Sequence, residues 1–249
     1  MLELVRQARA RAPKDGVAAR LAALDWPDLG AGLERDGYAL IPGLLAAEEC
    51  RALAAGYDRD ERFRSRVIME RHGFGRGEYK YWAYPLPATV ALLRAGLYPP
   101  LAALANRWSE ALKWEVRFPS DHAAFLSRCR RSGQSKPTPL LLKYERGDYN
   151  CLHQDLYGEH VFPLQLTVLL SAPGRDFRGG EFVLTEQRPR MQSRVAVVPL
   201  GQGDGVVFPV SHRPVAGKRG VYRTSMRHGV SKIRDGCRLT LGVIFHDAR

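Results

Sequence analysis

The chain has 249 residues, 45% of them hydrophobic, and a formal net charge of +12. That length and apolar share support a sizeable folded core and exclude a disordered chain or a disulfide-stapled mini-protein. So large a positive excess favours polyanionic partners, with nucleic acid ahead of anionic membrane.

Residues 1–25 read as a helix interrupted around Pro13-Lys14-Asp15-Gly16, with Val17, Leu21 and Leu24 at helical spacing. No secretory leader is read there, so secretion is not expected. From Leu33 to Gly43 the pattern predicts a helix end, a short strand and a turn, and a second helix from about Ala46 to Tyr57. Residues 58–72 are dense in charge. The run GFGRGEYKYWAYPLP from Gly73 mixes glycine, aromatics and cations without a period and is predicted as a long ordered loop. A third helix is predicted from about Thr89 to Leu112, broken near Tyr98-Pro99-Pro100 because proline removes a helical hydrogen bond.

From residue 138 short β-rich runs alternate with glycine and proline, eight in all, which predicts an antiparallel sandwich or jelly roll. The simplest organisation is one domain over 1–249, a helical layer (1–137) on a β core (138–249). The longest apolar runs, such as VFPLQLTVLL from Val161, are too short to cross a bilayer, so no membrane partner is expected. The cysteines Cys50, Cys129, Cys151 and Cys237 have no zinc-type spacing, and their scatter predicts a reducing, cytoplasmic compartment.

The chemistry is concentrated in His153-Gln154-Asp155, His228 and Arg238. Residues two apart on a strand share a face, so His153 and Asp155 could chelate one ion, with His228 arriving from a distant strand. Two imidazoles and a carboxylate are the ligand set of a mononuclear non-haem Fe(II) site with open positions. Arg238, ten residues past His228, is a bidentate partner for a carboxylate. A lone HxD is common by chance; its neighbours add the weight. They are Tyr144 and Gly147 before it, then Gly179-Gly180-Glu181-Phe182, Gly203-Asp204-Gly205-Val206-Val207-Phe208, and finally His228, Gly229, Arg238 and Thr240.

This ordered set resembles the Fe(II)- and 2-oxoglutarate-dependent dioxygenases, most closely the prolyl 4-hydroxylase-like branch, over residues 140–246 and more loosely 30–57. The resemblance implies a mainly β fold with N-terminal helices and a double-stranded β-helix (jelly-roll, cupin-like) core. It implies Fe(II) on His153, Asp155 and His228, with 2-oxoglutarate and O2 as co-substrates. Arg238 would bind the distal carboxylate of 2-oxoglutarate, helped by the hydroxyls of Tyr144 and Thr240. Six residues past Arg238, where nucleic-acid demethylases of this superfamily carry a second arginine, stands Ile244. His160, His212 and His246 are expected to be structural.

Residues 181–234 hold ten basic side chains against three acidic ones. In the implied fold the loop TEQRPRMQSR from Thr185 and the hairpin-like HRPVAGKRGVYR from His212 lie near the barrel mouth, where cations such as Arg190 and Arg219 suit phosphate contacts. Arg76, Tyr79 and Trp82 could add stacking for a flipped or single-stranded base. The leading substrate expectation is alkylated nucleic acid, dealkylated oxidatively. A proline-containing protein, a small molecule and a non-catalytic binding module are the alternatives.

Overall fold

The structure is a computed structural model and describes residues 16–156, 158–217 and 220–249. The predicted helix over residues 1–15 lies outside the described residues. Helix α1 (Val17–Ala22) is followed by α2 (Trp26–Asp36), whose N-terminus is capped by Asp25 accepting from the Asp28 N–H at 3.0 Å. Strand β1 (Ala39–Ile41) and helix α3 (Ala47–Ala54) stand where a short strand and a helix were expected.

The segment predicted as a long loop contains strands. After β2 (Phe63–Ile68) come β3 (Gly75–Arg76) and β4 (Glu78–Trp82). Strand β4 carries Tyr79 and Tyr81 on one face and Lys80 and Trp82 on the other, so neither face reads as polar and no alternation shows in the sequence. Lys80 is buried, donating to the Tyr57 carbonyl at 2.8 Å and to Asp60 Oδ1 at 2.7 Å.

Helix α4 (Ala88–Ala111) runs unbroken through Pro99 and Pro100. Packing overrides the lost backbone bonds: Leu93, Leu97, Tyr98 and Leu101 are wholly buried, and the Tyr98 ring lies 5.0 Å from Phe162 and 5.4 Å from Phe125. At Gly96 a Cβ would stand 2.9 Å from Leu21, so a glycine here lets α1 pack close against α4. The helix is long and apolar enough to cross a membrane by length and composition, contrary to the sequence-based expectation. Here one side of it, including Val90, Leu93, Leu97, Leu101 and Leu104, is buried in the protein core, while Leu92 is exposed.

Helix α5 (His122–Arg131) leads into the β region: β5 (Leu140–Tyr144), β6 (Tyr149–His153), β7 (Leu164–Leu169), β8 (Phe177–Gly179), β9 (Phe182–Gln187), β10 (Arg194–Val198), β11 (Gly205–Pro209), β12 (His212–Gly217), β13 (Gly220–Val230), β14 (Ile233–Gly236) and β15 (Arg238–Ile244). All eight predicted runs are strands; β8, β12 and β14 are additional. Among the described residues one antiparallel sheet has the order β1-β11-β7-β15-β5-β4-β2. A second has the order β10-β9-β13-β6-β3, with β12 also paired to β13. Residues of both sheets line one cavity, as in a jelly roll. The four thiols, Cys50, Cys129, Cys151 and Cys237, are free.

Part of the basic segment is spent internally. Glu186 is buried and receives Arg188 at 2.7 Å, Arg194 at 3.4 Å and the fully buried Arg213. Arg213 also donates to the Glu34 carbonyl at 2.8 Å, tying β12 and β9 to α2. Burial pushes the Glu186 carboxyl up, but Arg188 and Arg213 outweigh it and hold it below its ordinary value. A carboxyl depressed in the folded state stabilises above its unfolded pKa, and that contribution is lost as pH falls. Glu186→Gln is therefore expected to unfold at lower urea than wild type at pH 7, with the gap closing below about pH 4. A gap of equal size at both pH values would refute the ion-pair account.

Candidate metal and carboxylate site

The site begins at the end of β6. Strand pairing sets His228 of β13 directly opposite His153, and the imidazole centroids lie 4.2 Å apart. The register shifts between His228 and Val230, and Gly229 occupies this irregularity. A Cβ at Gly229 would stand 2.7 Å from the Asn150 carbonyl oxygen, so the close approach of β13 to β6 demands glycine.

Asp155 lies just past the strand, not on it. The intervening Gln154 turns aside to donate to the carbonyls of Met226 at 2.8 Å and Ser211 at 3.1 Å. That anchor still delivers Asp155 to the two imidazoles: its Oδ1 is 3.6 Å from His153 Nε2 and its Oδ2 is 3.3 Å from His228 Nε2. One ligand atom from each of the three residues falls within 4.8 Å of the others.

The donor set fits a divalent transition metal. His153 Nδ1 lies 2.8 Å from the Cys151 carbonyl, which can only accept, so the proton sits on Nδ1 and the Nε2 lone pair faces the cluster. Burial would raise Asp155, but His228, His153 and Gln165 outweigh it and keep the carboxyl well below its usual range. Burial and neighbouring His228 lower His153, which favours its neutral, ligating form.

On the opposite wall Arg238 of β15 pairs in register with Tyr144 of β5. Arg238 is 1% exposed, donates from Nη1 to Thr240 Oγ1, and has no hydrogen-bond partner at Nε. No carboxylate lies within ion-pairing distance of it among the described residues. Burial draws its guanidinium down to about 10, still charged at neutral pH. Burial pushes Tyr144 up to about 12, leaving its hydroxyl protonated. Gly180 (φ +65) packs beneath this arginine, where a Cβ would stand 2.3 Å from Ile233 and 3.0 Å from Arg238. His153, Asp155, His228, Tyr144, Arg238 and Thr240 all line a single cavity of about 180 Å³.

Residues 77–248 match the family Oxygenase-NA, described as an oxygenase catalysing oxidative methylation of damaged DNA. The chain belongs to this family. Two uncharacterized Mycobacterium tuberculosis proteins, from strains CDC 1551 / Oshkosh and ATCC 25618 / H37Rv, are each 48% identical over 164 residues, 66% of this chain and 70% of theirs. Among solved structures, a Pseudomonas putida prolyl-4-hydroxylase is similar at a TM-score of 0.50 and 15% identity, over 90% of this chain and 99% of that one. An oxidoreductase of the 2OG-Fe(II) oxygenase family from Burkholderia pseudomallei gives 0.52 and 15%, over 96% and 94%. At such identities the likeness is one of fold. By family the chain is an oxygenase, and its fold is that of a 2OG-Fe(II) oxygenase.

The expected entrance residues fare unevenly. Tyr79 lines the cavity of the oxygenase, with Phe74 and Tyr81 beside it. Trp82 does not: it is buried in the core on the other face of β4, stacked on Phe63 at 4.3 Å. Arg76 is exposed, 4.0 Å from Glu70, and is not among the cavity-lining residues. Arg190, at φ 61 in the turn between β9 and β10, borders a separate shallow pocket with His212 and Arg223. Arg219 lies outside the described residues. His160 contacts Ser132 Oγ at 2.9 Å, His246 Nδ1 accepts from the Phe162 N–H, and His212 packs edge-on to Trp114, all away from the ligand cluster. Sequence reasoning missed Gln154 and Gln165. The available signal was Gln165 itself, one amide inside the largely apolar run LQLTVLL.

Proposed function

We propose that this oxygenase removes alkyl groups from nucleic acid, with His153, Asp155 and His228 holding Fe(II) and Arg238 holding the distal carboxylate of 2-oxoglutarate. When bound, iron and co-substrate supply the oxidant that hydroxylates a C–H bond while 2-oxoglutarate loses CO2 and becomes succinate. The observation that carries the reaction class is the buried, unpaired guanidinium of Arg238 sharing one cavity with two imidazoles and a carboxylate. A buried cation is stable only when an anion completes it, and a dicarboxylate co-substrate does so. Tyr144 and Thr240 flank the arginine with hydroxyls and orient that carboxylate.

Three features support nucleic acid as the substrate: the damaged-DNA description of the family, the charge of +12, and the aromatic side of the cavity formed by Phe74, Tyr79 and Tyr81. Aromatic faces accept any base, and cations position a phosphate backbone without reading sequence. When the hydroxylated carbon sits on nitrogen, the resulting hemiaminal collapses and the alkyl group leaves as an aldehyde. The walls of the site position the alkyl carbon and exclude water.

Succinate release across a panel of alkylated oligonucleotides and proline peptides tests the reading. Stimulation by oligonucleotides, weakened by salt, is expected; stimulation by proline peptides alone would replace it with protein hydroxylation. Arg238→Ala is expected to raise the 2-oxoglutarate requirement by about 10- to 150-fold, the equivalent of about 1.5–3 kcal/mol for a charge-assisted contact. An unaltered 2-oxoglutarate KM would remove Arg238 from that role.

A further inference from the structure

We infer that Gln165 is a positioning residue for the metal site: its carboxamide N–H holds Asp155 by Oδ2 and thereby presents Oδ1 to the metal. The inference rests on the ligand reading above.

Gln165 sits on β7, where every residue from Leu164 to Leu169 is buried, and is itself 5% exposed. Its Nε2 lies 2.9 Å from Asp155 Oδ2 and 3.1 Å from His228 Nε2, while its Oε1 is buried without a hydrogen-bond partner. The amide nitrogen is thus directed at two of the three ligand residues. Apolar packing gives no reason for it, since a methionine or leucine would bury more apolar surface, orphan no oxygen and so offset the lost hydrogen bond to Asp155.

Asp155 supplies the reason. It stands beyond the end of β6, so the strand fixes His153 but not the Asp155 carboxylate. Gln154 anchors the backbone at this point, and Gln165 reaches across from the other sheet to fix the side chain. A carboxylate held at one oxygen offers the metal the other, in a monodentate mode that leaves positions open. The contact to His228 Nε2 places the same amide between the two ligands in the metal-free chain.

Mn(II) titration of the purified chain tests this, using wild type, Gln165→Met and Gln165→Leu. Both variants are expected to weaken Mn(II) binding by about 10- to 100-fold, the usual loss when a partner of a metal ligand is removed. The melting temperature of the metal-free protein should stay level or rise. A Kd within about twofold of wild type in both variants overturns the inference. So does a lowered metal-free melting temperature with Kd preserved, or failure of both variants to fold, since either would make Gln165 a structural residue. Absence of Mn(II) binding by the wild type would instead strike the ligand reading itself.

Discussion

Asp155→Ala is expected to leave a folded protein that neither binds Fe(II) tightly nor releases succinate. Asp155 is the one carboxylate among the three clustered groups, and its loss leaves two neutral imidazoles to hold a dication. Loss of a ligand's partner typically costs 10- to 100-fold, so loss of the ligand itself should cut turnover by more than about 100-fold. The fold should survive, because Asp155 sits on a cavity wall after a strand end, outside the hydrophobic core. Anaerobic addition of Fe(II) and 2-oxoglutarate should give wild type, but not the variant, a weak visible band. Succinate release at the wild-type rate would sink the iron assignment.

Arg94→Met should cost about 3–5 kcal/mol of stability, the usual result of breaking a buried pair on one side. Arg94 is 2% exposed and Asp247 wholly buried, with 2.8 Å between Nη2 and Oδ1. The same guanidinium donates to the carbonyls of Ile244 and His246 at 2.9 Å and to the Tyr84 hydroxyl. It thereby fastens the N-terminal part of α4 to the far end of β15, the strand that begins with Arg238. Removing it leaves the buried Asp247 carboxylate without its countercharge, held only by the Tyr84 hydroxyl at 3.0 Å among the described residues. Adding Asp247→Leu should recover much of the loss, since two apolar groups can replace a buried pair at little cost. Urea unfolding measures both; a loss under about 1 kcal/mol for the single variant would refute the account.

Where the sequence was readable, a short-range rule applied. Eight of the eleven strands from 138 onward showed because glycine and proline bound each run. The pair His153 and Asp155 showed by residue type and close spacing, although Asp155 reaches the cluster from just past the strand end and not from the shared strand face expected. Where reading failed, a distant contact had decided the matter. The helix through Pro99 and Pro100 persists because Tyr98 packs among Phe125 and Phe162 from other elements. The strand through Tyr79 and Tyr81 was hidden because both of its faces are covered. Trp82 was assigned to the entrance by its neighbours in sequence, but one residue's step along a strand reverses the face.

The sequence alone pointed to the oxygenase class, because metal and carboxylate chemistry depends on residue type and coarse spacing: two histidines, an aspartate and an arginine in order. Only the tertiary structure decided which cations and aromatics serve the site. It placed Tyr79 and Tyr81 in the cavity and Trp82 in the core, turned Arg213 and Arg188 inward onto Glu186, and brought Gln165 from another sheet against Asp155. Side-chain direction and long-range pairing are products of packing, and no local pattern records them.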